Sequence, residues 1–221
     1  MKLPGSHGEH HAQELYGTAR RASAFYTNQM LNYLNPVMRD FIARQETVFI
    51  ATADAAGSCD SSFRAGFPGF VQVLDDRTLA YPEYRGNGVM ASVGNMLENA
   101  HIGLLFIDFL QSTVGLHVNG TSRLVENADM LARPHATPEM VAAIQGTGGR
   151  RPERWVIVEV EEAYIHCSKH IPLLQKMDKD IHWGTDDEQH KGGDFFQAKS
   201  CPRPWSKEPA NEPTDARVGP E

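Results

Sequence analysis

Between residues 46 and 167 the chain is a succession of short β-branched and apolar runs separated by turn residues. This density of strands constrains the fold more than any other feature. Thr47 to Ala53 (TVFIATA) reads as a strand, closed by the turn chemistry of Asp54-Ala55-Ala56-Gly57. Further strands fit Ser58 to Arg64, Phe70 to Leu74 and Thr78 to Pro82. Later ones fit His101 to Ile107, Leu116 to Val125, with Gly120 inside it as a bulge or close approach, and Trp155 to Tyr164. Helical spacing is confined to Val89 to Asn99 and to Thr137 to Gln145, which opens with threonine, proline and glutamate. Strands that cluster with few helices between them argue for an antiparallel sheet or barrel with peripheral helices, not a doubly wound parallel sheet.

The flanks read differently. Residues 1–45 form an N-terminal helical extension. Leu15, Ala19, Ala22, Tyr26, Met30 and Tyr33 recur at three- and four-residue steps and predict one amphipathic helix. Asn35-Pro36 follows as an N-cap with proline at the first helical position, and the short helix carries Val37, Phe41 and Ile42. Residues 168–221 are expected to hold a short helix over Ser168 to Met177. An extended or disordered tail follows, with five prolines in residues 202–221.

Composition narrows the function. A chain of 221 residues supports one full core, burying roughly 70% of the surface its unfolded form exposes. The formal net charge of -7 argues against a nucleic-acid partner and against charge-driven attachment to anionic lipid. No apolar run reaches the roughly 20 residues that span a bilayer, and MKLPGSHGEHHAQEL lacks an apolar signal core. Three cysteines make no disulfide framework, so a cytoplasmic location is expected.

The chemistry concentrates in residues 61–99. Arg64 ends a strand behind two hydroxyls, Ser61 and Ser62, and a later strand runs into Arg85-Gly86-Asn87-Gly88 and a helix. A glycine turn before a helix N-terminus offers free N–H groups and the positive end of a dipole. Two guanidinium groups fork onto phosphate oxygens. The pattern is that of a phosphate cradle. The competing reading is plainer, with both arginines solvated or paired to Asp60 or Glu83.

In order, FIATAD, SSFRAG, GFVQVLDDRTLAYP, RGNG, LENAHIGLLFID and LHVNGTSRL resemble the pyridoxamine 5'-phosphate oxidase-like family of FMN-binding proteins over roughly residues 36–167. The resemblance implies a mainly β fold with peripheral helices, a six-stranded antiparallel split β-barrel over residues 46–167. It also implies a homodimer with FMN in the interface cleft. By position, Arg64 and Arg85 would hold the FMN phosphate, with Ser61 and Ser62 along the ribityl chain or ring. Gly86 and Asn87 would add loop contacts, and Asn95 would brace the helix. Tyr81 would face the same cleft. His117, Asn119 and Arg123 would approach the flavin edge from the second subunit, with His117 the candidate acid or base because histidine titrates near neutrality.

Trp183 would help close the pocket. The family's Ser-Arg-Lys phosphate loop is replaced here by Tyr84-Arg85-Gly86-Asn87-Gly88, so a small-molecule substrate other than pyridoxamine phosphate is expected. The implied activity is an FMN-dependent oxidoreductase. The alternatives are a non-catalytic flavin-binding module, or a haem- or deazaflavin-using protein of the same fold, with His166, His170 or His182 as haem ligand. His166, Cys167, His170, His182 and His190 do not form a recognised metal-binding pattern.

Overall fold

A computed structural model describes residues 3–205. Six full strands build the sheet: β2 (Thr47–Ala53), β3 (Cys59–Ala65), β5 (Thr78–Glu83), β6 (His101–Ile107), β7 (Gly115–Val125) and β8 (Arg154–His166). Two short pairings, β1 (Met30–Leu31) and β4 (Gln72–Val73), complete eight strands. The order is β3-β2-β6-β7-β8-β5-β4, with β1 beside β8, and every printed pairing is antiparallel. The mainly β expectation is met. The run from Phe70 to Leu74 contributes only its two central residues as a strand, because the chain turns at both ends.

Period-two alternation sorts the side chains. In β2, Val48, Ile50 and Thr52 point inward and Phe49, Ala51 and Ala53 outward. Ile102, Leu104 and Phe106 of β6, with Leu116 and Val118 of β7, continue the inner face. β8 is buried on both sides at residues 155–158. Val156 and Val158 face the inner core, while Trp155 and Ile157 join Ala80 and Val125 in a second cluster. Met130 of α5 (Asn127–Leu131) and Met140 and Ile144 of α6 (Pro138–Gln145) cover that cluster. α6 starts as the sequence predicts, with the Thr137 hydroxyl accepting from the Met140 N–H and proline at the first turn.

Gly120 marks the bulge. The β7–β8 register shifts between Asn119 and Gly120, leaving Glu161 as the extra residue on β8. A Cβ at Gly120 would collide with the Glu159 carbonyl, so the close approach requires glycine.

The flanks correct two expectations. The single N-terminal helix is two helices, α1 (His7–Leu15) and α2 (Ala19–Gln29), separated at Gly17, whose φ of 65° ends the first. α3 (Pro36–Ala43) follows the Asn35 cap as expected. The helix expected over Ser168 to Met177 is only a 3₁₀ turn, Ser168–His170. Pro172 forces Ile171 into extended backbone (φ -83°, ψ 116°), and Leu174 N–H then donates to the Phe109 carbonyl at 2.7 Å. Most of the proline-rich tail lies outside the described residues. Among the described residues, no helix is long and apolar enough to cross a membrane.

Gly120→Ala is expected to destabilise the protein by about 1–3 kcal/mol through overpacking at the bulge, read as a lower urea midpoint with an unchanged slope.

Candidate functional site

β3 is an end strand, and its alternation decides which groups reach the site. Asp60, Ser62 and Arg64 pair with Thr52, Ile50 and Val48 of β2 and share their inward face. Ser61 and Phe63 pair with Ala51 and Phe49 and lie on the outer face. Beyond Ala80, β5 has no partner on its outer side among the described residues. It delivers Glu83 and then the loop Tyr84-Arg85-Gly86-Asn87-Gly88. α4 (Ala91–Glu98) returns across the opening and packs on β2, β3 and β7.

These elements enclose a cleft of about 520 Å³, lined by Ser62, Arg64, Glu83, Arg85, Asn87 and Trp183 among others. That size suits a small-molecule or cofactor site. Gly88 turns the loop with a φ of 83°. The helix after it begins at Met90 in left-handed backbone, and no side chain caps its first turn. Ala91, Ser92 and Val93 line the cleft there, so the open N–H groups and the positive dipole end lie against it.

Each cation of the cleft already has a carboxylate. Arg64 donates through Nε to Glu83 Oε1 at 2.9 Å, its Nη2 lies 2.9 Å from the same oxygen, and its Nη1 donates to the Phe63 carbonyl at 3.2 Å. Arg85 Nη2 lies 2.7 Å from Asp186 Oδ2. The Ser62 and Ser92 hydroxyls both donate to Asp60 Oδ2, at 3.1 and 2.9 Å. Asn87 accepts the Val89 N–H on its side-chain oxygen, which stabilises the loop. Glu83 is only 7% exposed, and burial pushes its carboxyl above the usual range despite the opposing pull of Arg64. Tyr84 stands edge-on to Trp183 at 5.6 Å between ring centres, and burial raises its phenol.

The structure thus brings Ser62, Arg64, Arg85, Gly86, Asn87 and Trp183 to one cleft. Ser61 and Tyr81 lie away from it, Asn95 sits behind it on the helix, and His117, Asn119 and Arg123, expected to act from a second subunit, lie on the outer sheet face. Ser61 is turned away by the strand period. Tyr81 is fully buried in the inner core, its hydroxyl without a partner, and burial with Glu83 nearby raises its phenol further. Asn95 is on α4, where its side-chain amide donates to Thr52 Oγ1 at 3.1 Å and ties the helix to β2.

His117, Asn119 and Arg123 alternate with buried residues of β7 and lie on the outer sheet face. His117 stacks on Tyr164 with ring centres 4.7 Å apart, and its Nε2 is 2.9 Å from His166 Nδ1. Burial, and then the neighbouring His166, lower its pKa below 6.5. Asn119 lies near Glu162 and the Tyr164 hydroxyl, at 3.3 and 3.4 Å. Among the described residues, no three His, Cys, Asp or Glu side chains are grouped to hold a metal.

Ser92 and Asp186 are site residues with no role in the sequence analysis, and Asp60, named there as a candidate partner of the arginines, instead takes the Ser62 and Ser92 hydroxyls. Asp60 and Ser92 carry a signal in retrospect, being in phase with Ser62 on β3 and in the first turn of α4. Asp186 arrives from about 100 positions later and has no local signal.

An antiparallel, barrel-like sheet left open between β3 and β5, with a glycine-turned cleft at the gap, defines a split-barrel protein. The pyridoxamine 5'-phosphate oxidase family matches residues 34–167, well over half of the chain, and the chain belongs to that family. Among solved structures it is similar to HupZ of Group A Streptococcus (25% identity, covering 58% of this chain and 90% of that one, TM-score 0.43). It is also similar to a candidate pyridoxamine 5'-phosphate oxidase of Lactobacillus delbrueckii (21% identity, 62% and 98%, TM-score 0.44). A third is HutZ, a heme storage protein of Vibrio cholerae (14% identity, 60% and 93%, TM-score 0.39). No curated protein matches the chain.

The His117–His166 pair makes a direct prediction. In an NMR titration His117 should protonate below pH 6.5, and His166→Gln should raise its midpoint by removing the neighbouring charge.

Proposed function

We propose that the protein is an FMN-dependent oxidoreductase acting on a small-molecule substrate, with the FMN phosphate held in the cleft between β3, the Arg85 loop and α4. The observation that carries the reading is the donor set. Two guanidinium groups from separate elements, two serine hydroxyls and an uncapped helix start line one cleft in a member of this family. These groups fit a phosphate. They fit it on one condition, that the carboxylates already on Arg64 and Arg85 are displaced or shared.

In this reading Arg64, held by Glu83, and the more exposed Arg85 grip the phosphate as a pair. Ser62 and Ser92 supply hydroxyl contacts. Trp183 and Tyr84 form an aromatic wall that excludes water from one side. When bound, the flavin supplies the redox chemistry, taking hydride or electrons from a donor and passing them to a small substrate or oxygen.

The reading includes a homodimer. Its support is the outer sheet face, where Phe49 and Phe63 stack edge-on at 5.5 Å between ring centres and remain 36% and 54% exposed. Exposed aromatic pairs on a sheet face favour burial against a partner. His117 and Asn119 lie on that same outward side, where a second copy would cover them.

Purified protein is expected to be yellow or to take up FMN. Arg85→Ala and Arg64→Ala should each weaken FMN binding about 10- to 100-fold, the loss of a charge-assisted hydrogen bond worth about 1.5–3 kcal/mol, as read by flavin fluorescence quenching. Unchanged affinity in both variants sinks the phosphate assignment. A Soret band with no flavin identifies haem instead, and bound flavin with no turnover of reduced nicotinamide identifies a binding module. In sizing experiments the protein should elute as a dimer, and Phe63→Glu should shift it to monomer.

A further inference from the structure

We infer that Glu83 makes phosphate binding in this cleft a proton-coupled event: the anion enters as the Glu83 carboxylate takes up one proton, which stays shared between the two. The inference rests on the reading of the cleft as a phosphate site and adds a determinant of its specificity.

The geometry is unusual for an anion site. A carboxylate that is 7% exposed lines the cleft and engages Arg64 through both Nε and Nη2. This orients the guanidinium, and it also cancels the charge that a phosphate would meet. Glu83 is anchored at the cleft by side chain and backbone, with two contacts to Arg64 holding its carboxylate. It is held in the β5–β8 ladder opposite Arg154, and its carbonyl accepts the Glu153 N–H at 2.8 Å.

Asp186 differs. It is 64% exposed at its contact with Arg85 and is free to yield to a ligand. An incoming phosphate dianion therefore meets a fixed carboxylate at Arg64 and a displaceable one at Arg85.

The charged and titratable groups that act on Glu83 are Arg64 of β3, Arg154 of β8, Glu153 just before it and the buried Tyr81 phenol of β5, while Asp60 of β3 and Arg85 of the loop line the same cleft. Counting Asp186, the cleft holds Arg64 and Arg85 against Asp60, Glu83 and Asp186. Adding a dianion without a proton would place two like charges together in a low-dielectric site. Of the three carboxyls, Glu83 is the one predisposed to accept a proton, since burial already raises it. Asp60 is already engaged by the Ser62 and Ser92 hydroxyls.

The sign follows from linkage. If the complex binds more protons than its separated parts, affinity rises as pH falls. A free phosphate monoester has a second pKa of about 6, so its own ionisation contributes little above pH 7.

The test is isothermal titration of the full chain with FMN at pH 7 to 8, in two buffers of different ionisation enthalpy. Riboflavin, which lacks the phosphate, is the control. Wild type should take up a measurable fraction of one proton per FMN and none per riboflavin, and its FMN affinity should fall several-fold from pH 7 to 8. Glu83→Gln, which keeps the shape and a hydrogen-bond acceptor, should lose the uptake and bind FMN about tenfold more tightly at pH 8. If that variant fails to fold, the wild-type proton count decides alone. FMN binding without proton uptake overturns this inference and leaves the proposed function standing. Failure of wild type and Glu83→Gln alike to bind FMN overturns both.

Discussion

The ion pair between Arg64 and Glu83 spans the gap that the strand order leaves open. β3 is one end of the sheet, and β5 beyond Ala80 lacks a neighbour on its outer side. No backbone ladder joins them among the described residues, and one hydrogen bond and one further ion-pair contact of this pair connect them instead. Removing one partner of a buried pair leaves a desolvated charge, typically at a cost of about 3–5 kcal/mol. The pair therefore ties the two sides of the gap together beside the cleft, which α4 roofs. The loop from Tyr84 to Gly88, the open start of α4 and the serine hydroxyls all take their positions relative to this join.

The inner wall of the cleft was legible in the sequence once the strand period was applied with care. Ser62 and Arg64 are two apart and share a face, whereas Ser61 is one away from each and belongs to the opposite face. Treating both serines as candidates ignored that period. Gly120 was legible for the same kind of reason, because a glycine inside a β-branched run signals a bulge or a close approach, and here it marks both. The helix expected over Ser168 to Met177 would have to run through Pro172. That proline removes a donor and holds Ile171 extended.

What the sequence could not reveal is contact across long separations. Asp186 reaches the cleft from a segment with no regular strand or α-helix, so no local pattern announces it, and Trp183 of the same segment is placed there only by the family resemblance. The fate of Tyr81 was hidden for a related reason. Its position at a strand end near the arginines suits a cleft residue, but β5 is buried on nearly every position from Leu79 to Glu83. Burial on both faces erases the alternation that would have told inside from outside. His117 shows the reverse. Its strand alternates cleanly, and the outward phase that carries it away from the Arg64 cleft was readable from Leu116 and Val118 on either side.

Pairing each arginine with a carboxylate has opposite effects on the two steps of ligand capture. A guanidinium held at a fixed angle loses less conformational entropy when an anion arrives, because its rotamer is already chosen. The same carboxylate weakens the attraction that draws the anion in. In a chain with a formal net charge of -7, unpaired arginines would attract the protein's own acidic segments in any case, as Arg85 does with Asp186. The two pairs divide the work by burial. The exposed pair is worth little in water, on the order of 0–1 kcal/mol, and yields readily, so Arg85 remains available at small cost. The buried pair keeps its geometry and must respond by another route. For a buried carboxylate held by its guanidinium, neutralisation by a proton is one way to relieve a neighbouring anion. Preorganisation at Arg64 and sensitivity to protons at Glu83 are thus two consequences of the same desolvated contact.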